Sequence, residues 1–227
     1  LAAAPAADLD IVNAFNDAIV AGGAAGKKAA QQVTLQADSL GAAAAASVGS
    51  GAAVAGITSS RLASLRTGVA YASNDAGFAA GNGSMARHLW LRSFGNSTDQ
   101  DATGGIAGFE ATTYGVVGGL DIPAGRGNAG VSVSYASTEV DGEGVGNSAL
   151  DIDSYGINLY ADMTGHRAYF EFLAGYAWNE NDTSRVLNFG GLSRAISGSY
   201  DSSQYTLAAH TGMPKRNSSR GSVCSPC

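Results

Sequence analysis

From Arg87 onward the sequence alternates with a period of two, in runs too long for an ordinary soluble sheet. The run HRAYFEFLAGYAWNE at 166–180 shows this most plainly. Its even positions (His166, Ala168, Phe170, Phe172, Ala174, Tyr176 and Trp178) make an apolar face ending in two aromatic residues. Its odd positions (Arg167, Tyr169, Glu171, Leu173, Gly175, Ala177 and Asn179) are mostly small or charged. Successive side chains of a strand point to opposite faces, so this run predicts one apolar and one polar face. Similar runs occupy 87–98, 107–121, 128–141, 151–163 and 199–212, with Pro123-Ala124-Gly125, Asp141-Gly142 and Thr164-Gly165 as turn signals between them. Six runs of mostly 12–15 residues, joined by alternately short and long connections, predict an antiparallel meander.

Soluble strands usually stop at about 5–6 residues. Here, charges also fall inside the runs rather than at their ends. The expectation is therefore an all-β fold: a partial up-and-down transmembrane β-barrel of about six strands, preceded by Ala-rich helical segments. Arg92, Glu110, Arg167 and Glu171 are expected to face a wet lumen, since a dry core would penalise them. Tyr176 and Trp178 are expected to form part of an aromatic girdle at one rim. The alternative is a soluble secreted β-sandwich serving in binding or adhesion, with Phe170, Phe172, Tyr176 and Trp178 in its core.

Composition fits the first reading. Charged residues are 14% of the chain, against ~25% in an average soluble domain, and glycine supplies 32 of 227 residues. The net charge is −6 and the 13 basic residues are scattered, which argues against nucleic acid as a partner. No window reads as 18 uncharged, strongly apolar residues, so no membrane helix is expected; a barrel strand needs only ~9–11. No charged segment precedes an apolar one at the start, so no intact signal peptide is expected, and the chain reads as a fragment of a longer one.

Residues 1–56 read as an Ala-rich, low-complexity helical segment. One helix is expected to run to about Val20, capped by Asp8 or Asp10 and stopped by Gly22-Gly23. A second spans Lys27–Ser47 and breaks near Gly41. Residues 57–86 are expected to hold a better helix, Ile57–Tyr71, capped by Ser59 or Ser60, with Arg61 and Arg66 opposite its apolar stripe, and then a loop over 72–86.

The ordered set LWLRSFG (89–95), GFEATTYGVVGGLD (108–121), DIDSYGINLYA (151–161), GYAWNEND (175–182) and SYDSSQYTLAAHTG (199–212) resembles the C-terminal β-domain of autotransporters, the type V secretion proteins of Gram-negative bacteria. GITSSRLASLRTG at 56–68 resembles that family's linker helix. The resemblance implies a barrel of about twelve strands in outer-membrane lipid, inserted by the barrel-assembly machinery. It also implies export of the protein's own upstream passenger segment to the cell surface, with the helix left in the pore. Arg61 and Arg66 are then expected to pair with lumen charges. The domain expected at 87–212 is about half of such a barrel. Residues 213–227 lack alternation and read as an unstructured, out-of-frame or unrelated tail. Two open edges, which lipid cannot satisfy, lead to the expectation that 1–227 expressed alone aggregates.

No enzyme motif assembles. Gly26-Lys27-Lys28 lacks the first glycine and the Mg²⁺-binding hydroxyl of a phosphate loop. Tyr155 replaces a ligand in the loop starting at Asp151. His88, His166 and His210 lie on separate runs, so neither a metal nor a cofactor is expected. Gly142, Gly144 and Gly146 miss the dinucleotide spacing. Cys224 and Cys227 form a C-x-x-C outside any strand-helix context.

Overall fold

The structure, a computed structural model, describes residues 6–33, 37–67, 77–80, 88–103, 107–143 and 148–213. The tail from 214 onward, with Cys224 and Cys227, lies outside the described residues. Three helices come first: α1 (Ala6–Ala21), α2 (Gly23–Val33) and α3 (Ala37–Thr67). Seven strands follow among the described residues: β1 (Gly77–Ala80), β2 (His88–Gln100), β3 (Phe109–Ala124), β4 (Gly127–Gly142), β5 (Ala149–Thr164), β6 (Tyr169–Phe189) and β7 (Leu192–Gly212). They form one sheet in strict sequence order, every neighbouring pair antiparallel. This is the up-and-down meander expected, with six long strands and a short β1 lying within the stretch expected as loop. Among the described residues the sheet is open, with β1 and β7 as its edges.

The helical stretch departs from expectation. The break near Gly41 and the cap at Ser59 or Ser60 do not occur. One 31-residue helix, α3, runs through both positions. Alanine's helix preference carries it across the glycines, and Ser59 spends its hydroxyl on the sheet instead. Helix α3 is ~46 Å long at ~1.5 Å per residue. Contrary to the expectation that no such helix exists, Gly41–Thr67 is long and apolar enough to cross a membrane, with a mean hydropathy of 1.3. Many small alanines produce that value without any bulky apolar run.

Helix α3 lies against one face of the sheet, and two apolar clusters join them. Ala42, Ala43 and Ala46 pack on Phe109, Ala111, Val140, Leu150 and Ile152 near the long-loop end. Val54 and Leu62 pack on Trp90, Val117, Tyr160 and Leu173 near the short-turn end. Interspersed with them on the inner face are buried polar side chains: Thr113, Ser132, Thr138, Ser154, Asn158, Asn179 and Asn181.

The hairpin β6–β7 is longer than the sequence suggests. β5 pairs with β6 only as far as Ala149 with Ser184, so Arg185–Phe189 and Leu192–Ile196 project past the sheet and pair only with each other. Gly190 and Gly191 take φ of 58° and 79°, the left-handed pair that a two-residue hairpin turn demands.

Candidate functional site

The inner face of the sheet brings several charged side chains onto the C-terminal third of α3. Arg61 Nε donates to Asp121 Oδ2 at 2.8 Å. Asp121 Oδ1 also accepts the indole N–H of Trp90 (3.1 Å) and the hydroxyl of Tyr160 (2.5 Å). Trp90 Nε1 lies 2.9 Å from Tyr160 Oη as well. Asp121 is fully buried, so each of its bonds answers a desolvated charge. The indole fits because Gly119 lies opposite it: a Cβ there would sit 2.8 Å from the ring.

One turn further along the helix, Arg66 contacts both Asp162 (3.4 Å) and Glu171, with its guanidinium carbon 4.0 Å from the centre of the Tyr169 ring. Glu171 also accepts the Ser59 hydroxyl at 2.6 Å, and His210 Nδ1 stands 3.7 Å from it. Asp162 accepts the backbone and side-chain amides of Asn128 at 2.7 and 3.0 Å. Residues of β2 through β7 thus converge on two helix turns. The arrangement fixes the register and rotation of α3 against the sheet, because a shift of one residue breaks both arginine sites at once.

The structure places the expected site residues as follows. Arg92 and Glu171 stand on the helix-bearing face; Arg61 and Arg66 lie on α3 and reach that face as described. Glu110 does not: it is exposed on the outer face. Strand β3 carries apolar residues on both faces, Phe109 and Val117 inside and Val116 and Leu120 outside, so charge was a poor guide to its parity. Glu110 also lies near the loop end, level with Asp99 and Asp141. Arg167 is not in a strand either: it is exposed in the turn before β6, which begins at Tyr169. Sequence reasoning missed Asp121 and Trp90, which share the inner parity of β3 and β2.

Tyr176 and Trp178 stand on the outer face in a connected aromatic set. Tyr155 stacks on Trp178 with centroids 5.6 Å apart, and Tyr135 and Tyr205 flank the pair at 5.3 and 5.2 Å from Tyr155 and Tyr176. On the short-turn side of this set the outer face is Leu89, Leu91, Leu120, Ile157, Leu159, Phe170, Phe172 and Leu207, all exposed. Phe170 to Trp178 covers ~26 Å of strand at ~3.3 Å per residue. On the loop side the outer face turns acidic: Asp153, Glu180 and Asp201 form one cross-strand row, and Glu139, Asp151 and Asp182 the next.

A long antiparallel meander with an apolar outer band, an aromatic border and a helix ion-paired to its inner face defines a β-domain of the outer-membrane translocator class. The chain matches the Autotransporter beta-domain family over residues 89–223, more than half its length, and belongs to that family. The match continues past Gly212 into the segment set apart as a tail. An "Extracellular serine protease" of Serratia marcescens is 31% identical over 132 residues, covering 58% of this chain and 12% of the relative. A second protein of that name from the same organism is 27% identical over 129 residues, covering 56% and 12%. The chain thus spans about an eighth of the length of these curated relatives. No solved structure gives a significant match.

Proposed function

We propose that residues 87–212 insert into the outer membrane as barrel wall, with α3 standing in the lumen and an upstream passenger segment exported past it. The change of the outer face at the aromatic row carries this reading. An apolar band about 25 Å tall bordered by aromatic residues fits a bilayer, and the acidic rows beyond it fit the water above. Lumen charges are then Arg92, Asp121, Asp162 and Glu171, and Tyr176 and Trp178 belong to the girdle. Arg61 and Arg66 hold the helix in the pore after export, so the pore stays filled. The barrel-assembly machinery is the insertion partner that the family implies. The work is translocation, and the β-domain is assigned no catalytic step.

The test is fractionation of cells producing the complete protein that contains this domain. It is expected in the outer membrane, with faster gel mobility unboiled than boiled. Recovery as a soluble periplasmic protein would overturn the reading and favour the sandwich.

A further inference from the structure

The projecting end of the β6–β7 hairpin departs from the rest of its own inner face. Along β6 that face is mixed within the sheet (Glu171, Leu173, Gly175, Ala177, Asn179, Asn181) and then ends in Leu187 and Phe189, two bulky apolar residues, once the strand passes Ser184. Across the turn, Leu192 and Ile196 continue the apolar patch. An isolated two-stranded hairpin is marginal in water, so this patch needs a cover. The cover is the helical pair α1–α2. Ala18 and Ala29 bury fully against Leu187 and Phe189, with Ile11, Ala14 and Phe15 alongside. Phe15 meets Phe189 edge to face at 6.4 Å. The Asn188 amide donates to Gln32 Oε1 at 2.8 Å. Gly190 lets the turn close on α1: a Cβ there would lie 2.7 Å from the Ala14 carbonyl.

We infer that this projection is a catch for the chain's own exported helices, holding α1–α2 at the outer mouth without relying on the covalent link through α3. The inference rests on the topology proposed above, in which the loop end faces outward. An apolar receiver placed where the segment emerges favours the exported position over return, because withdrawal re-exposes Phe189, Leu187 and Phe15. Apolar burial gives the hold, and the Gln32 bond sets its register.

The experiment uses the complete protein on intact cells, with residues 34–36, between α2 and α3, replaced by a site-specific protease sequence. After the cut, the fragment on the N-terminal side is followed by antibody in cells and medium. The unaltered hairpin is expected to keep the fragment on washed cells. The double variant Leu187→Ser/Phe189→Ser is expected to release it at least ~10-fold faster, as the loss of two buried apolar side chains and an aromatic pair implies. Phe15→Ser, which leaves every strand untouched, is expected to release it too and covers a failure of the hairpin variant to fold. Prompt release with the unaltered hairpin would overturn the catch, as would equal retention in the Phe15→Ser protein. Absence of the protein from the outer membrane would instead remove the topology on which the catch depends, and unboiled gel mobility separates the two failures.

Discussion

The two ends of this molecule are built inside out relative to each other. Toward the short turns, charge is inside and grease is outside: Asp121, Asp162 and Glu171 meet Arg61 and Arg66 on the inner face, while Leu120, Leu159 and Phe172 cover the outer one. Toward the loops, the arrangement inverts. Phe109, Val140, Leu150 and Ile152 pack inward on alanines of α3, and Glu139, Asp151, Glu180 and Asp182 face out. A single sheet thus reverses its polarity along its length on both faces, and its contact with α3 changes with it. The helix is accordingly held in two ways. Its C-terminal end is locked by directional charge pairs; its N-terminal end rests on small, non-directional contacts.

Removing a charge from the lock should give the largest effect. Arg66→Met leaves Asp162 and Glu171 buried without their shared cation, a loss of about 3–5 kcal/mol. It should appear as a lower denaturant midpoint of the lipid-inserted protein, and an unchanged midpoint would mean the lower end is no more directional than the upper. Gly119→Ala pushes a methyl into the Trp90 ring and the Val131 carbonyl, both 2.8 Å away. Overpacking of that kind costs about 1–3 kcal/mol, read by the same titration. At the upper end, Ala46→Gly loses helix preference and a small buried contact, about 1 kcal/mol. A larger effect there than at Arg66 would reverse the comparison. The smallest change has the opposite sign. Glu180 lies directly between Asp153 and Asp201 on neighbouring strands. Glu180→Gln relieves like-charge opposition and should raise stability by ~0.2–1 kcal/mol, seen as a higher midpoint, less as salt is added. Destabilisation would mean that the row is held by something other than water.

How much of this was legible depended on how cleanly each strand alternates. β5 and β6 alternate without interruption, so Glu171, Tyr176 and Trp178 could be assigned a face from the sequence. β3 could not be read that way. Its inner side is filled by Ala111, Thr113, Val117 and Gly119 and its outer side by Val116 and Leu120, so both faces look apolar and Glu110 was put on the wrong one. The single rule that a charge inside a strand faces the helix also fails past the aromatic row, where Glu139, Asp151, Glu180 and Asp182 stand on the outer face. The projecting hairpin was missed because NENDTSR at 179–185 has the polarity of a loop, which hid the Gly190-Gly191 turn five residues on. The continuous α3 was missed because its glycines and serines look like stops when the sheet that supports them is not in view.

The chain has two tryptophans, and they stand on opposite sides of one wall. Trp90 is 4% exposed with its indole N–H held by Asp121 and Tyr160; Trp178 is 45% exposed and stacked on Tyr155. Their fluorescence therefore reports on two different events. A quencher carried on lipid tails darkens Trp178 when the wall enters a bilayer and leaves Trp90 bright. The emission that survives belongs to an indole bonded to the same carboxylate as Arg61, so it reports whether α3 keeps its place against the sheet. One unlabelled sample thus carries separate signals for entry of the outer face into lipid and for the seating of the helix, so their order in time becomes measurable.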